Sequence, residues 1–171
     1  NLETAFLGRF LNVGDDGVAR LLKHEAGVVA LSDAGAHLIY MCDAGFGLHF
    51  LAHWVRERGD FDIAEGMRRL TSHPADLYGI RDRGRLVVGA HADMLLFDPA
   101  TVGISPAERV ADLPGGGRRT IRRPIGVSAV FCNGVKTFDG KNYVQHAKGP
   151  GHVLDKFNPS QGRHAAAIAA Q

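Results

Sequence analysis

Asp33 is the residue of this sequence best placed to do chemistry, because it directly follows a short apolar run. Residues 28–31 (Val-Val-Ala-Leu) are typical of a strand buried on both faces, as in parallel sheets covered by helices. The turn-forming residues Ser32-Asp33-Ala34-Gly35 come next. Carboxylates at the C-terminal ends of such strands are common catalytic groups in α/β folds and barrels. The same pattern also fits an Asp that only caps the following turn, and the residues alone leave both interpretations open.

Helices are predicted on both sides of this strand. The first spans Asp15–Lys23 and is ended by Gly27, and the second ends at Gly59 with Trp54 beside its apolar face. Their core-facing residues are Val18, Leu21 and Leu22 in the first helix and Leu48, Leu51, Ala52 and Val55 in the second.

Two further helices are predicted before residue 80. Asp62 followed by Glu65 resembles a capping box, and it opens a helix with a core-facing stripe of Ile63, Met67 and Leu70. Ser72-His73-Pro74 opens a short helix, since proline is tolerated in a first turn, and Gly79 ends it. Helices around a buried strand indicate an α/β arrangement in this half of the chain.

The second half is predicted to be mostly β. Asn133-Gly134 between two apolar runs is a strong hairpin signal, and Asp139-Gly140 offers a further turn towards residues 143–145. Residues 101–124 are expected to be irregular, and the tail from Asn158 to be helical or loosely ordered. The predicted strands are residues 86–88, Met94–Phe97, Val127–Cys132 and Val135–Phe138.

These motifs together resemble those of a known enzyme family. Residues 29–37 (Val-Ala-Leu-Ser-Asp-Ala-Gly-Ala-His) resemble the final barrel strand of the amidohydrolase superfamily, which ends in a Ser-Asp pair. The resemblance runs from about Val28 to Leu154 and is to the D-aminoacylase and N-acyl-D-amino-acid deacylase type, amidohydrolase family 3. The other motifs are Thr71-Ser72-His73-Pro74-Ala75, Tyr78-Gly79-Ile80, Asp82-Arg83-Gly84-Arg85-Leu86, Gly89, Ala92-Asp93, Phe97-Asp98-Pro99, residues 112–119, Asn133-Gly134 and Gly149-Pro150-Gly151.

The resemblance implies a fold of the α/β plus β class. Residues 1–82 would be the end of a TIM-like barrel of a metal-dependent hydrolase, comprising its last strand-helix unit or units. Residues 83–157 would be part of a small β-sandwich domain, and residues 158–171 a C-terminal tail.

The resemblance also implies a chemistry, namely hydrolysis of the linear amide of an N-acyl-D-amino acid. The family binds one or two divalent metals, usually zinc, which lower the pKa of a bound water. Asp33 would contact the metal or its water, take the proton as hydroxide attacks, and pass it to the departing amine. His37 would face the substrate or the edge of the metal site, or otherwise be a polar loop residue. Ala34 stands where many D-aminoacylases have Gly, and their following His-Pro-Arg loop is absent, which indicates a separate branch.

Most of the family's metal ligands do not occur in this sequence. It contains no His-x-His, and a complete barrel needs about 250 residues. The first residue is Asn1, and no basic leader resembling a signal peptide follows. We therefore expect a processed or partial chain that forms a homo-oligomer or binds a partner chain supplying further barrel strands. The alternatives are a cyclic amide hydrolase, such as a hydantoinase or dihydroorotase, and a non-catalytic assembly piece.

Composition argues against several other classes of protein. The formal charge of +2 gives no strong field for nucleic acid or a membrane surface, and no apolar run approaches about 20 residues. Cys42 and Cys132 lie far apart, which favours a reducing cytoplasm. His49 and His53 lack a third ligand, so packing or surface exposure is favoured over metal binding. The basic cluster of Arg118, Arg119, Arg122 and Arg123 favours a solvated loop, or one paired with acidic residues, over a nucleic-acid patch.

Overall fold

The computed structural model describes residues 8, 11–30, 32, 36–155 and 157. Helices occupy the first half of this part of the chain and strands the second, as the sequence predicts. The helices are α1 (Asp15–Lys23), α2 (Phe46–His49), a π-helix (Phe50–Glu57), α3 (Ile63–Leu70) and α4 (Ser72–Tyr78). The strands are β1 (Met94–Phe97), β2 (Gly103–Ile104), β3 (Glu108–Leu113), β4 (Gly117–Ile121), β5 (Pro124–Ile125), β6 (Val127–Cys132) and β7 (Val135–Phe138).

α1 has the predicted bounds. Its first turn carries acidic residues and its last turn basic residues. Charges of these signs interact favourably with the helix dipole at both ends. The side of α1 that faces the core differs from the prediction, since Ala19 is buried whereas Leu21 is largely exposed. None of the described helices is both long and apolar enough to cross a membrane.

The second predicted helix is α2 continued by the π-helix. In a π-helix the hydrogen bonds span five residues, as from Arg58 N–H to His53 O at 2.9 Å. Trp54, expected beside the apolar face, lies within the core in this wider turn. Gly59 and Gly79 end the π-helix and α4 as predicted, with φ values of +66° and +71° in the left-handed region.

α3 is capped as predicted but faces the core differently. The Asp62 side chain accepts a hydrogen bond from Glu65 N–H at 2.8 Å. The predicted stripe is wrong at Ile63, which is 43% exposed, because Gly66 and Arg69 are buried instead. The helical core is the cluster Ala19, Phe50, Trp54 and Phe61, with Val18, Leu22, Val29, Val55 and Leu70 packed against it.

The strand predicted over residues 28–31 is wrong for residues 28–30, and Leu31 lies outside the described residues. Ala30 is exposed, and residues 28–30 pair with no strand in the part of the chain that the structure describes. A strand buried on both faces needs neighbouring strands and covering layers, which the described residues do not supply there. The sheets are all antiparallel and close no barrel within the described ranges. The barrel and the domain bounds therefore remain predictions.

The sheet β1-β6-β7 confirms three predicted strands and the hairpin between them. β6 lies between β1 and β7. The Asn133-Gly134 turn has φ values of +50° and +78°, as a two-residue type I′ hairpin requires. Arg83 pairs with Asp93 and donates to Asn133 Oδ1 at 2.8 Å, while Asp93 Oδ1 accepts from Asn133 N–H at 2.8 Å. This network ties the segment after α4 to the sheet.

Two other predictions for the second half are wrong. Residues 86–88 form no strand, and Leu86 and Val88 are 79% and 107% exposed. Residues 101–124, expected to be irregular, contain β2 and the β3–β4 hairpin. β3 is mostly exposed and half of its residues are charged, and β4 contains two arginines, so apolar alternation could not reveal this hairpin. Gly115 and Gly116, with φ values of +70° and +74°, form a defined turn between β3 and β4.

α3 approaches the π-helix closely at Gly66, where a Cβ atom would lie 2.6 Å from Val55 Cγ2. We expect Gly66→Ala to lower the free energy of unfolding by about 1–3 kcal/mol, because overpacking exceeds the gain in helix propensity. Gly17→Ala in α1 is the control, since a Cβ there meets nothing within 4 Å. It should raise the free energy of unfolding by about 0.4–1 kcal/mol. Urea denaturation measures both values, and equal effects would contradict the close packing.

Candidate functional site

Asp33, the predicted catalytic residue and metal ligand, lies outside the described residues, as do Leu31, Ala34 and Gly35. The structure describes the chain that leads to it, including residues 24–30 and the half-buried Ser32, and the chain that follows from residue 36. It shows how α3 and α4 hold the chain before Asp33 and how the β3–β4 hairpin holds the chain after it.

Before Asp33, the side chain of Arg69 anchors the end of α1. Its guanidinium donates to Lys23 O at 3.0 Å, to His24 O at 2.8 Å and to Glu25 Oε1 at 3.2 Å. The last carbonyls of a helix have no partner within the helix. Arg69 is 2% exposed, so its guanidinium satisfies these carbonyls in place of water and fixes the point where the chain leaves α1.

Gly27 is the next fixed point along the chain. Its carbonyl accepts a hydrogen bond from His73 Nε2 at 3.0 Å, and its N–H donates to His24 O at 2.9 Å. A Cβ atom on Gly27 would lie 2.8 Å from Leu21 O and 3.1 Å from His24 O. Both are backbone atoms, so only glycine fits this close approach. Asp33 follows six residues later.

Glu65 orients the two arginine side chains of α3. Its carboxylate accepts from Arg68 Nε at 2.6 Å, Arg68 Nη2 at 2.8 Å and Arg69 Nε at 2.6 Å. The hydrogen bonds from Arg68, and then the one from Arg69, lower the pKa of Glu65 to about 2 against the opposing effect of burial. Arg68 Nη1 lies 3.3 Å from His73 Nδ1. We refer to Glu65, Arg68, Arg69 and His73 as the polar clamp.

After Asp33, His37 lies in an exposed turn at residues 36–40. Its φ of +55° is uncommon for a residue other than glycine, and such backbone strain clusters at functional turns. Its carbonyl accepts from Tyr40 N–H at 2.8 Å and Met41 N–H at 3.0 Å. These bonds define the backbone of the turn, whereas contact between His37 and a substrate stays a prediction.

The β3–β4 hairpin holds this turn in place. Buried Thr120 donates its N–H to Leu38 O at 2.7 Å and its hydroxyl to Ile39 O at 3.1 Å. Arg109 Nη2 lies 3.4 Å from Ile39 O. The chain is thus held five residues after Asp33, at Leu38, and six residues before it, at Gly27.

The basic cluster of the hairpin is partly neutralised by acidic residues of the same hairpin. Arg119 forms two hydrogen bonds of 2.7 Å with the Asp112 carboxylate, and Arg123 Nε lies 3.4 Å from Glu108 Oε2. Asp112 and Glu108 belong to β3 and the arginines follow in or after β4. Acidic partners for the cluster are therefore found within the hairpin.

His49 and His53 stack with their ring centroids 5.3 Å apart. His53 Nε2 lies 2.9 Å from Asp15 Oδ2 and its Nδ1 lies 3.1 Å from Glu57 Oε2, so it joins α1 to the π-helix. The hydrogen bond with Glu57, and then that with Asp15, raises the pKa of His53, whereas burial lowers the pKa of His49.

Among the described residues no three His, Cys, Asp or Glu side chains are grouped to hold a metal ion. The described residues by themselves therefore provide no ligand set for the expected metal ion.

The sequence matches the model of the amidohydrolase family over residues 8–138, more than half of the chain. The chain belongs to the amidohydrolase family. This family is generally metal-dependent, and the matched range includes Asp33, His37 and the whole polar clamp.

Three curated relatives from Alcaligenes xylosoxydans xylosoxydans confirm the resemblance to D-aminoacylases. An N-acyl-D-aspartate deacylase is 34% identical over 104 residues, 58% of this chain and 18% of the relative. A D-aminoacylase is 31% identical over 110 residues, 61% and 19% of the two chains. An N-acyl-D-glutamate deacylase is 32% identical over 97 residues, 54% and 19%. The match thus spans about a fifth of the length of each relative. No solved structure matches the chain significantly.

The sequence does not by itself identify the residues that hold the chain around Asp33. His73 is predicted only as part of the start of α4, and Arg69 belongs to the separate helix α3, so helical spacing does not relate the two residues. Neither residue carries a local signal for its contacts, and Thr120 carries none because charged residues surround it in the sequence.

The lowered pKa of Glu65 predicts how acid weakens this region. Because the folded pKa of about 2 lies below the ordinary value of 4.5, ionised Glu65 stabilises the fold above pH 4.5, and this contribution is lost as the pH falls towards 2. Glu65→Gln should therefore lower the free energy of unfolding at pH 7 and flatten its decline between pH 4.5 and 2. Urea denaturation at a series of pH values tests this. Glu108→Gln, at an exposed position, is the control, and parallel curves for wild type and Glu65→Gln would refute the prediction.

Proposed function

We propose that this chain is the C-terminal part of an amidohydrolase that cleaves the linear amide bond of an N-acyl-D-amino acid, with Asp33 as general acid and base. The observation that carries the proposal is the family match over residues 8–138, which includes the Ser32-Asp33 pair. The names of the three relatives, all deacylases or aminoacylases, support an N-acyl-D-amino acid as the substrate.

In the proposed reaction Asp33 first accepts a proton and later donates the same proton. Its carboxylate takes a proton from a water molecule as the water oxygen attacks the amide carbonyl carbon. The C–N bond of the tetrahedral intermediate then breaks, and Asp33 gives the proton to the departing amine nitrogen. The products are a carboxylic acid and a free D-amino acid. Proton transfer of this kind contributes typically ~10²–10⁴-fold in rate.

A divalent metal, zinc in the prediction from the sequence, and metal contact by Asp33 are further parts of this proposal. The metal dependence of the family supports them. Because the described residues provide no ligand set, the remaining ligands would come from residues outside the described ranges or from another part of the protein. His37 is the proposed substrate contact, supported by its strained turn.

We expect Asp33→Asn in the full-length protein to lower kcat on N-acetyl-D-amino acids by ~10²–10⁴-fold, because the amide cannot accept the proton. Asp43→Asn, at an exposed carboxylate ten residues later, is the matched control and should keep wild-type kcat. Steady-state kinetics on N-acetyl-D-amino acids, their L-enantiomers and hydantoins measures this. Full activity in Asp33→Asn would exclude the proposed role. Activity on hydantoins alone would favour a cyclic amide hydrolase.

We also expect this chain to form homo-oligomers or to bind a partner chain that supplies further strands. The support is a set of large apolar side chains that the described residues leave uncovered, among them Leu86, Val88 and Val153. Where such side chains lie together, they form apolar patches of the kind that mark interaction surfaces. Sedimentation velocity over a range of concentrations tests the expectation, and a monodisperse monomer that binds no partner would contradict it.

A further inference from the structure

His53 faces one carboxylate with each of its two ring nitrogens. Nε2 lies 2.9 Å from Asp15 Oδ2 in the first turn of α1, and Nδ1 lies 3.1 Å from Glu57 Oε2 at the end of the π-helix. An ionised carboxylate can only accept a hydrogen bond, so each nitrogen must carry a hydrogen to make its contact. The doubly protonated, positively charged imidazole alone satisfies both contacts. We refer to Asp15, His53 and Glu57 as the histidine latch.

The neutral imidazole of His53 cannot keep both of these contacts. It carries one hydrogen, so its other nitrogen would present a lone pair to a negatively charged oxygen at 2.9 or 3.1 Å. The same conflict arises in either neutral tautomer, because both nitrogens face carboxylates. Loss of one proton therefore weakens the connection that His53 makes between α1 and the π-helix.

The charges on the α1 side of the latch are constant near neutral pH. Arg58 Nη1 lies 3.7 Å from Asp15 Oδ2, and Arg58 Nη2 donates to Asp16 Oδ1 at 2.8 Å. Arginine stays protonated and aspartate stays ionised between about pH 5 and 9. Arg58 therefore holds this end of α1 equally in both protonation states of His53.

On the π-helix side, Arg56 Nη2 donates to Glu57 Oε1 at 3.2 Å, and the ring of His49 stacks on that of His53. Burial, and then the charge of His53, lower the pKa of His49, as does Arg122 after β4, against the opposing effect of the latch carboxylates. His49 is therefore mostly neutral above pH 6.5. Within this group of charges, the change above that pH falls on His53.

The two ends of α1 are held by different kinds of contact. At the C-terminal end, Arg69 donates to Lys23 O at 3.0 Å, and Lys23 Nζ lies 2.8 Å from Asp60 Oδ1. These groups keep their charges between about pH 5 and 9. At the N-terminal end, His53 acts beside Arg58 and does change its charge. A proton lost from His53 therefore loosens the N-terminal end of α1 and leaves the C-terminal end held.

We propose that the histidine latch is a pH-sensitive device, which fastens the N-terminal end of α1 to the π-helix when His53 is doubly protonated and releases it when one proton is lost. The device is independent of the proposed amide hydrolysis, because none of its three residues takes part in that reaction.

The pH range of the device follows from the direction of the pKa shift. The hydrogen bond with Glu57, and then that with Asp15, raise the pKa of His53 above its ordinary value of 6.5. The stabilising contribution of the latch is thus fully present below pH 6.5 and is lost as the pH rises through the folded pKa.

A titration of the full-length protein tests the charge of His53. NMR spectroscopy of the histidine rings between about pH 5 and 9 gives its midpoint. We expect the midpoint to lie above 6.5 in wild type and to be lower in Asp15→Asn, which keeps the size of the side chain without its negative charge. A wild-type midpoint at or below 6.5, or the same midpoint in both proteins, would overturn the proposal.

Hydrogen exchange tests the release of α1. Val18 N–H donates to Gly14 O at 3.2 Å, so its protection factor reports opening of the N-terminal end. We expect this factor to fall roughly two- to fivefold as the pH rises through the His53 midpoint, the effect of losing an exposed ion pair. The amide of Lys23, at the other end, should keep its protection. His53→Gln should show no fall at Val18, because glutamine does not titrate.

His24→Gln is the matched control, since it removes an exposed histidine at the C-terminal end of α1 and leaves the latch intact. It should keep the wild-type fall at Val18. Constant protection of Val18 across the His53 midpoint would overturn the proposal. An equal fall in wild type and His53→Gln, or loss of the fall in His24→Gln, would do the same, because the titrating group would then be another residue.

Discussion

The buried guanidinium of Arg69 is the interaction on which this half of the chain depends. A buried charge is tolerated only when it is paired and fully hydrogen-bonded. Arg69 meets this condition with Glu65 from its own helix and with the carbonyls of Lys23 and His24 at the end of α1. Removing any partner would leave part of the charge uncompensated. These bonds join the C-terminal end of α1 to α3, three residues before Gly27.

Two sets of hydrogen bonds in this structure bear on the proposed chemistry. The polar clamp fixes the chain at Gly27 and Thr120 of the hairpin fixes it at Leu38, and Asp33 lies in the sequence between these two points. A general base must lie within hydrogen-bond reach of the proton that it takes. The catalytic role still rests on the family, whereas the two anchors rest on contacts within this chain.

Features with a local physical cause could be predicted from the sequence. The Asp62 cap, the left-handed Gly79 and the Asn133-Gly134 turn depend on residues within a few positions of each other, and all three are confirmed. Features that depend on distant partners could not. The described part of the strand expected at residues 28–31 lacks neighbours among the described residues. α3 buries Arg69, which pairs with Glu65, whereas Ile63 is exposed. For the candidate site, the resemblance supplied Asp33 and His37, but the contact of His73 with Gly27 crosses 46 positions of sequence and left no local signal.

The π-helix has a consequence for how this chain compares with other proteins. A π-helix accommodates more residues per turn than an α-helix, so it is equivalent to an α-helix with an inserted residue. Deleting one residue from it would return this helix to ordinary α-helical winding without turning the residues that follow it. In an alignment, relatives that wind this helix normally are thus expected to show a gap of one position there.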